Sequence, residues 1–105
     1  MTYKDPRTSV SIYVESDGRH IAAIAPNGKL LWVRNPFEEA HLCPYRNGRP
    51  VIARLEAIEL DELHAKNLKG RGADLSHNFL AIQFDSSQYG VIDESSGDFI
   101  AEGRD

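Results

Sequence analysis

The sequence predicts a mainly β protein. We expect about seven short antiparallel strands in two meanders, forming a small sandwich or a partly open barrel with one or two short helices. Two observations support this. Residues 21–32 and 89–100 each contain an apolar run, a turn that includes Gly, a charged residue and a second apolar run. Residues 10–15 alternate apolar and polar side chains, which is typical of a strand with one buried face.

The front of the chain is predicted to form a three-stranded meander. Its strands cover roughly residues 10–15, 19–25 and 29–34. Gly18 and Gly28 close the two turns, because glycine adopts the left-handed backbone conformation that a tight turn needs. Residues 1–8 are expected to be a loose polar lead-in, and residues 9–105 a single β-rich domain.

The segment 35–50 contains Pro36, Pro44 and Pro50, which interrupt any regular pattern. We expect one helical turn at 37–42, with Asn35 as its cap and Pro36 at its first position. The rest of the segment is predicted to be irregular.

Residues 51–68 fit two patterns, and the choice between strand then helix and mostly helix stays open. Apolar residues alternate from 51 to 57 as in a strand, whereas Leu55, Ile58 and Leu63 fit one helix face. The favoured interpretation is a strand followed by a short helix capped by Asp61 and ended by Gly70. Residues 69–72 are then expected to form a mobile loop.

Three more strands complete the fold prediction. Apolar runs at 79–84, 89–93 and 98–102 are separated by turn-forming residues at 85–87 and 95–97. The apolar faces of both meanders then bury each other in one interior.

Composition excludes several classes of protein. The chain has 105 residues, a net charge of −4 and a single cysteine. The negative charge disfavours nucleic acid as a partner, and no apolar run approaches the ~20 residues that cross a bilayer. The first eight residues lack the apolar core of a secretory signal, so we expect a cytoplasmic protein without disulfides.

The front hairpin contains a short sequence motif made of Ile24, Asn27-Gly28-Lys29 and Leu31-Trp32. This motif resembles a hairpin of the quinoprotein-type (PQQ-like) β-propeller repeats. The rear hairpin carries Asp93 and Ser96-Gly97 of the same pattern, with Ala101 where the tryptophan would stand. A propeller needs about four or more blades of four strands, so the resemblance implies only a local hairpin and no cofactor or site residue.

The residue pattern contains no catalytic constellation, and we expect no enzyme, cofactor or metal. The four histidines lack a metal-binding spacing, and Cys43 near His41 has no surrounding nucleophile signature. The carboxylates, including Asp93 and Glu94, are interpreted as a solvated acidic surface.

The leading hypothesis for function is a small, non-enzymatic bacterial or phage-type module that acts through protein contacts, with a protein partner or a second copy of itself. Open sheet edges supply unpaired backbone groups, and large aromatics dominate binding energy. The candidate anchors are Tyr13, Trp32, Phe37 and Tyr45.

The alternative hypothesis is an anion- or nucleic-acid-binding module. It uses basic residues beside glycines in two segments, 45–49 and 66–72, where cations and backbone amides converge on a phosphate. The candidate residues for anion or partner binding are Tyr45, Arg46, Arg49, Lys69 and Arg71.

Overall fold

The protein folds as two four-stranded antiparallel sheets, each with its strands in sequence order. The computed structural model describes residues 1–45 and 48–104. This arrangement confirms the predicted mainly β class. The first sheet contains β1 (Thr2–Lys4), β2 (Ser11–Val14), β3 (Ile21–Ile24) and β4 (Leu30–Arg34).

The second sheet follows a connecting segment that begins with the short helix α1 (Pro36–Glu39). Asn35 caps this helix, since its side-chain oxygen accepts a hydrogen bond from the Glu38 amide, as predicted. A second helix, α2 (Glu62–Gly70), follows the first strand of this sheet along the chain and precedes the second strand. The strands are β5 (Ile52–Ile58), β6 (Phe79–Phe84), β7 (Gln88–Asp93) and β8 (Phe99–Arg104).

The strand-then-helix interpretation of the middle segment is confirmed. Asp61 caps α2 by accepting a hydrogen bond from the His64 amide at 2.7 Å. The loop predicted at 69–72 is wrong in its first half, because Lys69 and Gly70 belong to the last turn of α2. Arg71 is the C-cap, and Gly72 follows with a φ of +88°.

The described part of the chain contains eight strands where the sequence predicts about seven. The additional strand is β1, in the segment expected to be a loose lead-in. It pairs with β2 in antiparallel register, with Tyr3 opposite Ile12, and Tyr3 packs against the core. Three residues are too few to show an alternation of apolar and polar side chains. The pairing with β2 and the packing of Tyr3, rather than a local sequence pattern, therefore determine this strand.

The inner faces of the two open sheets meet in one core, which corresponds to the sandwich of the two predicted alternatives. The turn at Gly97 fits closely against the first sheet, because a Cβ there would lie 2.7 Å from both the Trp32 ring and the Arg34 side chain. Its φ of +81° also requires glycine. Both sheets contribute buried residues, including Ile12, Ile21, Ala23, Trp32, Leu55, Leu80, Ile82, Phe84 and Ile92.

Helix α2 covers part of the outer face of the second sheet. Leu68 of the helix is 1% exposed and packs with Phe79 and Val91 in a smaller second cluster. The two sheets therefore share one interior, but only the second has a described helix packed on its outside.

Candidate functional site

The outer face of the first sheet exposes a patch of apolar side chains. On β4 the buried Trp32 lies between Leu31 and Val33, which are 43% and 44% exposed. Because side chains alternate along a strand, these two residues point away from the core. Leu30, at the start of β4, is 52% exposed.

The patch continues across the sheet through the strand register. Val33 lies opposite Ala22, and Ala22 lies opposite Tyr13, which is 42% exposed. We call this surface the outer patch. It consists of Tyr13, Ala22, Ile24, Leu30, Leu31 and Val33.

The charge at the Ser11–Ile24–Leu30 end of the outer patch is positive, whereas the exposed Glu15 follows β2 at the opposite end. Lys4 lies in the register row that runs through Ser11 and Ile24 to Leu30, and Lys29 is exposed beside Leu30. No outward position of the four described strands carries an acidic side chain, in a chain that contains 16 of them. The patch is therefore apolar with lysines at its border.

The patch also reaches an open sheet edge. Strand β4 is the last in its sheet and pairs only with β3 among the described residues. An edge strand of this kind offers a row of backbone N–H and C=O groups to a further strand.

The predicted aromatic anchors divide into exposed and buried residues. Phe37 is 4% exposed and contacts the Phe84 ring edge-on, and Trp32 is 8% exposed with its Nε1 donating to the Glu94 carbonyl at 2.8 Å. Both are core residues, so neither serves as a surface anchor. Tyr13 lies on the outer patch, and the half-buried Tyr45 stacks under the Arg104 guanidinium.

The residues of the anion-binding hypothesis contact separate parts of the fold. Arg49 is exposed and its Nη1 donates to the Asp17 carbonyl at 3.2 Å, at the first hairpin. Lys69 is exposed near the end of α2, and the Arg71 side chain donates to the Ala101 carbonyl on β8. Arg46 lies outside the described residues. Anion binding by this set stays a prediction.

A buried polar cluster joins the segment after β1 to the second sheet. Asp5 is fully buried and accepts hydrogen bonds from the backbone and side chain of Arg7. Glu94 is 4% exposed, and one of its oxygens accepts a hydrogen bond from the Thr8 hydroxyl at 2.5 Å. Its other oxygen, Oε2, is buried and has no donor among the described residues.

The two buried acids of this cluster titrate in opposite directions. Burial, followed by the contact with Asp5, raises the pKa of Glu94 to about 7. Burial also opposes ionisation of Asp5, but hydrogen bonds from Arg7 and Glu94 outweigh it and lower the pKa of Asp5 to about 2. One carboxyl is held neutral beside one carboxylate.

This cluster contradicts the sequence-based interpretation of Asp93 and Glu94 as solvated. Both are buried, and Asp93 Oδ2 lies 2.7 Å from His77 Nδ1. Asp5 is 89 positions before Glu94 in the chain, so no local spacing connects them. The available signal was the position of Asp93 and Glu94 at the end of an apolar run.

A groove of about 440 Å³ lies on the part of the second sheet that α2 leaves uncovered. Ala81 and Val91 contribute apolar surface to it, and Gln83 and Tyr89 contribute polar groups. At its side, His64 Nε2 is 2.6 Å from Glu102 Oε2. Glu102 is the extra residue of a β-bulge, since Tyr89 pairs with Gly103 and Gly90 pairs with Ala101.

Glu15, Asp17 and His20 form one group whose possible metal-ligating atoms lie within 4.8 Å of one another. Asp17 already accepts hydrogen bonds from the amides of Arg19 and His20, and its carboxylate contacts the His20 ring. These bonds push the pKa of Asp17 down, with the backbone hydrogen bonds first among the causes. They explain the arrangement as a turn of the first hairpin.

Comparisons with family models, with curated proteins and with solved structures yield no match for this chain. The resemblance to a propeller hairpin therefore stays a prediction. Within residues 1–45 and 48–104, no helix has the length and apolar character that crossing a membrane requires.

Proposed function

We propose that this protein is a protein-binding module and that its binding surface is the outer patch with the open edge of β4. The observation that supports this most directly is the concentration of exposed apolar side chains on one sheet face. Tyr13, Leu30, Leu31 and Val33 are each more than two-fifths exposed and share that face. Contiguous apolar surface on a small domain marks an interaction site.

The partner has a definable chemistry. The alternation of Leu31 and Val33 along an edge strand favours an extended segment that adds beside β4 through main-chain hydrogen bonds. Because Lys4 and Lys29 border one end of the patch, acidic side chains at the matching end of that segment complement it. We therefore assign the patch to an apolar strand with one acidic end.

A second copy of the chain fits the patch less well. Face-to-face pairing that brings the two lysine-bearing ends of the patch together costs Coulomb energy. Self-association is one outcome that the following experiment distinguishes.

The test uses a fluorescent peptide of alternating valine and threonine with two glutamates at one end, and the same peptide with two lysines in their place as its charge-reversed counterpart. We expect the acidic peptide alone to bind in an anisotropy titration and to bind more weakly as salt is added. Replacing Leu31→Thr and Val33→Thr together should weaken binding at least tenfold, because both side chains lose apolar contact.

The matched control is Leu63→Thr, which changes a leucine that is 69% exposed on α2, away from the patch. It should leave the affinity unchanged. Equal binding of both peptides, or full affinity in the double variant, contradicts the proposal. A dimer in light scattering that the double variant dissociates assigns the patch to self-association instead.

A further inference from the structure

The segment after β1 is fastened to the second sheet by a few polar contacts. Arg7 donates from Nη1 to the Ile58 carbonyl at 2.8 Å and from Nη2 to the Phe79 carbonyl at 2.9 Å. Nη2 also lies 2.9 Å from Asp5 Oδ2. These bonds, with that from Thr8 to Glu94, connect the N-terminal strand of one sheet to three strands or turns of the other.

Two carboxyl groups meet at the centre of this connection. Asp5 and Glu94 each shift the pKa of the other, and both are almost completely buried. Two carboxylates cannot satisfy each other, because neither has a proton to donate. One proton on Glu94 gives its otherwise unpartnered carboxyl oxygen a hydrogen bond to Asp5.

The charges around the pair do not remove this requirement. The Arg7 guanidinium is directed at Asp5 through Nε and Nη2 and compensates that single negative charge. Glu59 reaches Arg7 Nη1 at 3.5 Å but is 87% exposed, so it adds little and is of the same sign as the pair. The neighbouring acid Asp93 is bonded to His77 and to the Ser95 amide.

We propose that Asp5 and Glu94 form a proton-dependent latch, which holds the N-terminal segment 1–9 against the second sheet while one proton is shared. Loss of this proton in mildly alkaline solution places two negative charges side by side in a buried site. The segment then loosens, and β2 becomes the edge of the first sheet in place of β1. Burial of Glu94 sets the pH range of the change near neutrality.

Trypsin cleavage after Arg7 tests the latch, because the Arg7 side chain is held by the Asp5 carboxylate and by the Ile58 and Phe79 carbonyls while the segment is docked. The comparison variant is Glu94→Gln, whose amide donates to Asp5 at every pH and does not titrate. We expect equal cleavage rates at about pH 5.5 and about tenfold faster cleavage of the natural chain at about pH 8.5. The ratio of the cleavage rate of the natural chain to that of Glu94→Gln at each pH cancels the pH dependence of trypsin itself.

The control variant Glu59→Gln removes a carboxylate beside Arg7 and leaves the buried pair unchanged. Its cleavage rate relative to that of Glu94→Gln should rise with pH as the rate of the natural chain does. A ratio near one at both pH values overturns the proposal. If Glu94→Gln does not fold, the Glu94 carboxyl carbon of the natural chain is followed by NMR. A midpoint above about pH 6 supports the latch, and one near the usual value for Glu overturns it.

Discussion

The two sheets share one connectivity but differ on their outer faces. Each is a four-stranded meander, and each buries its inner face in the common core. The second sheet covers part of its outside with α2 and exposes mixed polar groups in the remaining groove. The first presents Leu31, Val33 and Tyr13 to solvent instead. Inner positions therefore determine the fold, and outer positions distinguish a covered sheet from one whose apolar side chains are exposed to solvent.

Phe84→Ala should produce the largest loss of stability, because Phe84 lies in the core that the two sheets share. Phe84 is 1% exposed and contacts the rings of Phe37 and Phe99 edge-on. We expect a loss of about 4 kcal/mol in the free energy of unfolding from lost burial and the cavity left behind. Urea denaturation measures it, and a loss below about 1 kcal/mol would show that the inner faces are not tightly packed.

The pH dependence of the free energy of unfolding tests the buried polar cluster that connects the two sheets. The pKa of Glu94 is about 7 in the folded protein and 4.5 as the ordinary value, so the folded state binds more protons between these limits. Stability is therefore highest below that window, falls as pH rises through it and is constant above it. For so buried a group, the loss is on the order of 3 kcal/mol.

The variant Glu94→Gln isolates that contribution. It should remove most of the loss between about pH 5 and pH 8 in urea denaturation. His77 also loses stabilising charge as pH rises, since its hydrogen bond to Asp93 raises its pKa, and this part should persist in the variant. An unchanged pH profile would mean that Glu94 is ionised throughout.

Leu68→Ala sharpens the contrast between the outer faces, because it weakens the cover of the second sheet alone. Leu68 packs on Phe79 and Val91. We expect a loss of about 2 kcal/mol, at the low end for a buried leucine, because a single helix settles into the space. Hydrogen exchange should accelerate in α2 and leave the amides between β2 and β3 protected.

Val33→Thr should have the smallest effect on stability. The side chain is 44% exposed and keeps its β-branched shape in threonine, so the free energy of unfolding should change by less than about 0.5 kcal/mol. Thermal or urea unfolding measures it. A large loss would show that the outer patch packs against part of the chain itself, and would remove the main argument for binding there.

Much of the fold was predictable because its signals are local. Asn35 with Pro36, and Asp61 before an apolar-periodic run, define helix starts through their own backbone. Gly18, Gly28 and Gly97 have the positive φ that their turns require. These residues act on their immediate neighbours, so the sequence alone shows what they do.

The candidate site was harder to predict because its features depend on tertiary packing. Leu31 and Trp32 are adjacent and similarly apolar, and only the strand register shows that one is exposed and the other buried. Asp5 and Glu94 are buried by elements from both ends of the chain. Single-sequence periodicity contains no information on which distant segments meet, and thus neither the patch nor the latch was visible.

Within the described residues, every strand pairs only with strands next to it in sequence order, and every connection within a sheet is short except the one from β5 to β6 through α2. Short connections close with little loss of chain entropy, so the hairpins that they join are able to assemble early. Union of the two preassembled halves across the linker at 35–51 is then expected to be the slow event of folding. A chain cut within that linker should regain its native shape when the two pieces are mixed.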